Sequence, residues 1–140
     1  MKIGICSGYF NPLHVGHLKM FTAAKYWCDK LVVIVNNDEQ QMLKKGRIIM
    51  TEGDRLEILR QLKPIDEVVL SIDDTPSVCK TLLYVRQTYY YDDMFFCNGG
   101  DRNSDKECPE VAVCKNNRIH LMYGVGGDYK YDSSSRIHGG

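Results

Sequence analysis

Ile3-Gly4-Ile5-Cys6-Ser7-Gly8-Tyr9-Phe10-Asn11-Pro12-Leu13-His14-Val15-Gly16-His17 joins a short apolar run, a glycine turn and the opening of a helical pattern. A strand that turns on glycine into a helix start is suited to holding a phosphate chain. Gly8 lets the backbone pass close to an anion. The helix N-terminus supplies N–H groups and the positive end of a dipole. His14 and His17 stand three residues apart, so both imidazoles project from one face of the first turn. Two such rings can donate to phosphoryl oxygens as charge builds up on them. Asn11 is the expected N-cap of this helix, with Pro12 in its first position.

Outward from this stretch, apolar runs alternate with helical patterns. Strands are expected at Lys2–Cys6, Lys30–Val35, Glu67–Ile72, Met94–Cys97 and Arg118–Met122. Several are apolar without alternation, the mark of a sheet covered on both faces. Helices are expected from Pro12 through Trp27, over Glu52–Leu62 behind the Thr51 cap, from Thr75-Pro76 towards Tyr89, and near Pro109–Lys115. A last capped segment is expected at Ser133–His138. Regular alternation predicts parallel strands with right-handed crossovers. The expected fold is α/β: one Rossmann-like, doubly wound domain over residues 1–140. Its five-stranded parallel sheet, in the order 3-2-1-4-5, is flanked by helices.

Composition narrows the functional classes. Of 140 residues, 44% are hydrophobic and 26% charged, which is the profile of a globular protein. Lys plus Arg equals Asp plus Glu at 18 each, which argues against bulk nucleic-acid or membrane-surface binding. No run is long enough to span a membrane, and the chain opens directly on a strand, so a cytoplasmic protein is expected. None of the six cysteines forms a C-x-x-C pair. Cys108 and Cys114 with His120 match no zinc spacing, so reduced, mostly buried thiols are expected. The tyrosines at 89–91 suggest a helix end or a subunit contact, and a homodimer is a candidate arrangement. Gly124-Val125-Gly126-Gly127 follows the last strand with no βαβ unit behind it, so it reads as a loop over the site rather than a dinucleotide fingerprint.

Four polar clusters fall at strand C-ends or helix N-ends: Gly8–His17, Asn36–Asp38 followed by Lys44-Lys45-Gly46-Arg47, Asn98–Arg102, and Asp132–Ile137. Ligands of such sheets bind beyond the strand C-termini where strand order reverses, here between strands one and four. Histidines, lysines, glycine turns and a serine run there form a polyphosphate cradle. No Ser or Cys nucleophile stands beside an obvious base, which favours direct displacement at phosphorus. That reaction needs positioning and charge stabilisation.

Gly8–His17 resembles the HxGH signature of the cytidylyltransferase-like nucleotidyltransferases, and Asp132-Ser133-Ser134-Ser135-Arg136-Ile137-His138 resembles their ISSTxxR-type motif. The two motifs lie in the expected order and span nearly the whole chain. Ile72–Pro76 and Asn98–Asp101 are similar to the heptose-1-phosphate adenylyltransferases. The short length and Asn37-Asp38-Glu39 are similar to the glycerol-3-phosphate cytidylyltransferases.

The resemblance implies transfer of CMP or AMP from CTP or ATP to a small phosphorylated sugar or polyol, with Mg2+ and release of pyrophosphate. It implies that His14 and His17 contact the triphosphate and that Lys45, on the loop before Gly46, neutralises phosphates. Tyr9 and Phe10 would line the nucleotide through backbone N–H groups, beside Gly8 and Asn11, and Gly16 would keep the helix start open. Gly100 and Asp101 would border ribose and base, and Ser133, Ser134 and Ser135 the β- and γ-phosphates. Lys44 and Arg55 would meet the acceptor phosphate. Asp38 is a candidate metal ligand or a helix cap. Asn11 stands where aspartate is common, and the chain ends soon after the second motif. A catalytically silent nucleotide-binding module is therefore the alternative reading.

Overall fold

Leu31-Val32-Val33-Ile34-Val35 offers no polar side chain to either face, so it can rest only where both faces are covered. The computed structural model, which describes residues 1–97 and 108–122, places it near the middle of the sheet. Strands β1 (Lys2–Gly8), β2 (Lys30–Val35), β3 (Glu67–Leu70), β4 (Asp93–Cys97) and β5 (Ile119–Met122) form one sheet in the order β3-β2-β1-β4-β5. Every pairing is parallel, with Gly8 opposite Val35 and Ile5 opposite Phe96. Architecture and strand order are those the alternation predicts. β1 runs two residues further than expected, to Gly8, and β3 stops two residues earlier, at Leu70.

Side chains alternate across the pleat. Ile3, Ile5, Val32, Ile34, Met94 and Phe96 face one layer, where Leu82, Val85 and Cys114 cover them. Cys6, Leu31, Val33 and Val35 face the other, against Phe21, Ala24 and Leu59. Each fully buried residue of this size contributes roughly 1.5–3 kcal/mol. The cysteines are free, as expected, and burial pushes the Cys114 thiol up to about 12, which keeps it protonated and inert.

The helices are α1 (Val15–Trp27), α2 (Asp38–Lys45), α3 (Glu52–Arg60), α4 (Cys79–Thr88) and α5 (Pro109–Asn116). Three features depart from expectation. α1 begins at Val15, with His14 and not Asn11 as its N-cap; the Asn11 amide is turned to Gln41 instead. α4 begins at Cys79, not at Thr75-Pro76. Its cap comes from outside the helix: the buried Asp73 carboxylate accepts from Lys80 N at 2.8 Å, Thr81 N at 3.0 Å and Thr81 Oγ1 at 2.6 Å. Finally, α2 is a helix where loop was expected. Asn37 accepts from Gln40 N, the Gln40 side chain returns to Asn37 N, and Gly46 closes the far end in the left-handed conformation at φ 74°. The expected segment at Ser133–His138 lies outside the described residues.

Candidate active site

β1 delivers its last residue, Gly8, to the C-terminal edge of the sheet beside the end of β2. Phe10 follows with φ 53°, and its ring folds back so closely that a Cβ on Gly8 would lie 2.9 Å from Phe10 Cζ. A side chain at position 8 would therefore have to displace the Phe10 ring. Phe10 then meets His17 edge-on at 5.1 Å and Phe21 at 5.4 Å, which ties the turn to α1.

The two histidines cap the helix they begin. His14 Nδ1 accepts the Gly16 N–H at 3.1 Å, and His17 Nδ1 accepts the His14 N–H at 3.1 Å. A nitrogen that accepts carries no proton, so in each ring the proton sits on Nε2. The rings stack at 3.8 Å and 24°, a geometry two neutral imidazoles tolerate and two imidazolium ions resist. The cap thus fixes tautomer and orientation of both groups at the positive end of a helix dipole.

The end of α2 borders the same pocket as His17; His14 is not among that pocket's lining residues. Lys44 and Lys45 occupy the last turn of α2 rather than a loop, and Lys44 Nζ sits 5.0 Å from the Tyr9 ring centroid. Tyr9, Phe10, Asn11, Pro12, His17, Lys44 and Lys45 line one pocket of about 260 Å³. Six of these seven are residues singled out from the sequence. Burial pushes the Tyr9 phenol up, with the nearby Glu110 charge adding to the shift, so its hydroxyl stays protonated.

Arg55 is not in that pocket. It is 1% exposed, and its guanidinium is spent inside the protein. Nε donates to Met50 O at 3.0 Å, Nη1 to Tyr9 O at 3.0 Å and to Asn36 O at 2.6 Å, and Nη2 to Asp38 Oδ1 at 2.9 Å. The expectation of an acceptor contact is corrected accordingly. Arg55 joins the loops after β1 and β2 to the start of α2, and so acts through other residues. Asp38, held by Arg55 and within 3.4 Å of Gln41 Nε2, is likewise a structural partner in this arrangement.

Gln40 and Gln41 were not anticipated. Both are fully buried. Gln40 Nε2 reaches Thr75 O and Ser77 O. Gln41 Oε1 accepts from Ile49 N and its Nε2 donates to Met50 O, which fixes the orientation of the amide. Asn11 must then present Nδ2 to Gln41 Oε1, and its own Oδ1, buried in the pocket wall, meets no hydrogen-bond partner among the described residues. The pattern Asn37-x-x-Gln40 is a capping box, and with Asp38 and Glu39 in the first turn and Gly46 at the far end it is the local signal for this helix. Gly100, Asp101, Ser133, Ser134 and Ser135 lie outside the described residues.

A histidine-capped helix start beside a lysine-ended helix, at the point where a 3-2-1-4-5 sheet reverses, is the anion-binding arrangement of doubly wound nucleotide proteins. The chain belongs to the cytidylyltransferase-like family, whose model matches residues 5–137. It is 41% identical over 78 residues to the bifunctional protein HldE of Nitrobacter hamburgensis and, to the same degree, to that of Rhodopseudomonas palustris. The match takes in 54% of this chain and 16% of the relative, so the chain spans only a small part of these proteins. It is also similar to the crystal structure of the lipopolysaccharide core biosynthesis protein from Thermoplasma volcanium, with a TM-score of 0.70 and 25% identity, covering 88% of this chain and 95% of that one. Among the described residues, no helix is long and apolar enough to cross a membrane.

Proposed function

We propose that this chain transfers a nucleotidyl group from ATP or CTP to the phosphate of a small phosphorylated sugar or polyol. An acceptor phosphate oxygen bonds to the α-phosphorus, the α–β bridging P–O bond breaks, and pyrophosphate leaves with the bridging electrons. The observation that carries the proposal is the pair of stacked imidazoles whose Nδ1 atoms are both committed to backbone N–H groups. That pairing makes Nε2–H the donor of both rings, suited to charge developing on the triphosphate. Lys44 and Lys45 supply positive charge in the same pocket as His17. The family resemblance assigns Gly100, Asp101 and Ser133–Ser135 to ribose, base and distal phosphates, and those roles belong to the same proposal.

Magnesium is part of the proposal too. Among the described residues no group of three or more His, Cys, Asp or Glu gathers to hold a metal, and Asp38 is bound to Arg55. Magnesium on triphosphates keeps most of its shell as water and phosphate oxygen. The Asn11 Oδ1 atom, polar, buried in the pocket wall and without a partner among the described residues, fits that minimal demand as a protein ligand. When bound, the ion would neutralise phosphate charge.

The test is pyrophosphate release with ATP and CTP against a panel of sugar and polyol phosphates. His17→Ala should lower kcat about 10²–10³-fold, the usual cost of one lost transition-state donor. It should cost about 1 kcal/mol of stability through the lost cap. Near-normal release in that variant would sink the mechanism. Nucleotide binding without turnover across the panel would favour a silent binding module.

A further inference from the structure

Asn11 is 7% exposed, yet its carbonyl oxygen is spent on nothing. Oδ1 lies buried in the wall of the Tyr9–Lys45 pocket with no hydrogen-bond partner among the described residues. A buried acceptor without a donor is costly, so something must hold it that way round. Turned over about its terminal bond, the amide would give Oδ1 to Gln41 and offer Nδ2 to the pocket instead.

Gln41 forbids that turn. Its Oε1 accepts the Ile49 N–H at 2.8 Å, and its Nε2 donates to Met50 O at 3.1 Å. Both backbone groups belong to the segment that joins α2 to α3. Exchanging N and O on Gln41 would set donor against donor and acceptor against acceptor. Gln41 is therefore locked, fully buried, with an oxygen facing Asn11. Only the Nδ2 edge of Asn11 can meet that oxygen. A carboxylate at position 11 would set oxygen against oxygen, so asparagine and Gln41 form a matched pair. The polarity of the pair is dictated by the backbone at Ile49 and Met50.

The chemistry of the ligand follows from that polarity. A phosphate oxygen is an acceptor and would call for the Nδ2 edge. No carboxylate is among the residues lining the pocket, which leaves Asn11 Oδ1 as a neutral oxygen suited to a cation carried on the phosphates.

We infer that Gln41 is a positioning residue, which fixes the polarity of the Asn11 amide so that Oδ1 is presented to the metal ion of a metal–nucleotide complex. Gln41 is not among the residues lining the pocket and acts only through Asn11. The inference rests on the proposed nucleotidyl-transfer reading.

The test is uptake of Mn2+ together with the α,β-methylene analogue of ATP and, separately, of CTP. Uptake is read as enhanced relaxation of water protons, with no acceptor present and no turnover. Wild type takes up the ion with at least one analogue. Gln41→Met frees the Asn11 amide to turn and should weaken uptake about tenfold, as when a group that orients a metal ligand is lost. Gln41→Glu, held protonated by burial beside the Asp38 carboxylate, keeps an oxygen facing Asn11 and a donor for Met50 O, and should bind as wild type does. An aspartate has no polarity to set. In the Asn11→Asp background, Gln41→Met should therefore leave uptake undiminished, whereas a merely structural Gln41 would weaken both backgrounds alike. Circular dichroism at the assay temperature checks that each variant is folded. Equal losses in the two backgrounds, or no loss in Gln41→Met, would overturn the inference. Weakened uptake in Gln41→Glu would overturn it whether or not Gln41→Met folds. Absence of uptake by wild type with both analogues would overturn the nucleotide reading of the pocket, and this inference with it.

Discussion

Replacing Arg55 by alanine separates two accounts of this residue. The family resemblance puts it at the acceptor phosphate; the structure buries it and gives it four hydrogen bonds. Alanine would strand the carbonyls of Tyr9, Asn36 and Met50 and leave Asp38 without its cation. Removing one partner of a buried charge pair costs about 3–5 kcal/mol. A domain of this size shifts its melting temperature by about 3 °C per kcal/mol, so the melt should fall by about 10–15 °C. Against a total stability of about 5–15 kcal/mol, most of the protein still folds at low temperature. Arg55→Lys keeps the charge but not the planar fork, and should recover about half of the loss. Differential scanning calorimetry measures both variants. Kinetics adds a second reading: with the ends of β1 and β2 loosened together, kcat falls and both KM values rise. A melting temperature within about 3 °C of wild type, with only the acceptor KM raised, would refute the structural argument and restore the acceptor contact.

Gly8→Ala forces its new Cβ against the Phe10 ring, so a loss of about 1–3 kcal/mol in urea melts is expected, with weaker turnover because Phe10 supports His17. Gly46→Ala places a side chain at φ 74° on the α2 C-cap and should cost about 1 kcal/mol by the same assay, although the Cβ meets nothing. Burial raises the Asp66 carboxyl, but the Lys25 ammonium and the Leu31 N–H outweigh it and leave its pKa below the ordinary value. A depressed carboxylate stabilises the fold above its unfolded pKa and loses that contribution as pH falls through the folded one. The stability gap between wild type and Asp66→Asn should therefore close as urea melts are taken from pH 6 towards pH 3; a gap that stays constant would contradict the pairing.

The strands were legible because their chemistry is redundant: Leu31–Val35 can lie only in a doubly covered sheet, and alternation with helices then orders its neighbours. That Tyr9, His17, Lys44 and Lys45 come together at one pocket was legible because short motifs place them at strand and helix ends. What escaped the sequence was held by polar contacts at long range. α2 has no apolar stripe; Met42 and Leu43 point to solvent, while Gln40 and Gln41 are buried. Asp73 caps a helix six residues ahead of it, which no local capping pattern encodes. Arg55 looks like a ligand contact by position, and only the arrival of three loops around it reveals an internal clamp. Asn11 looked like a cap because proline followed it, but the histidines close that helix themselves.

The way α2 is attached has a consequence for how the protein breathes. Its anchors are directional amide bonds from Gln40 and Gln41, not a greasy face pressed into the core. Releasing it breaks several strong contacts yet uncovers little oily surface. Such an opening has a small denaturant slope and a small heat-capacity change, unlike global unfolding. Hydrogen exchange of the α2 amides, residues 38–45, is therefore expected to depend more weakly on urea than that of β2.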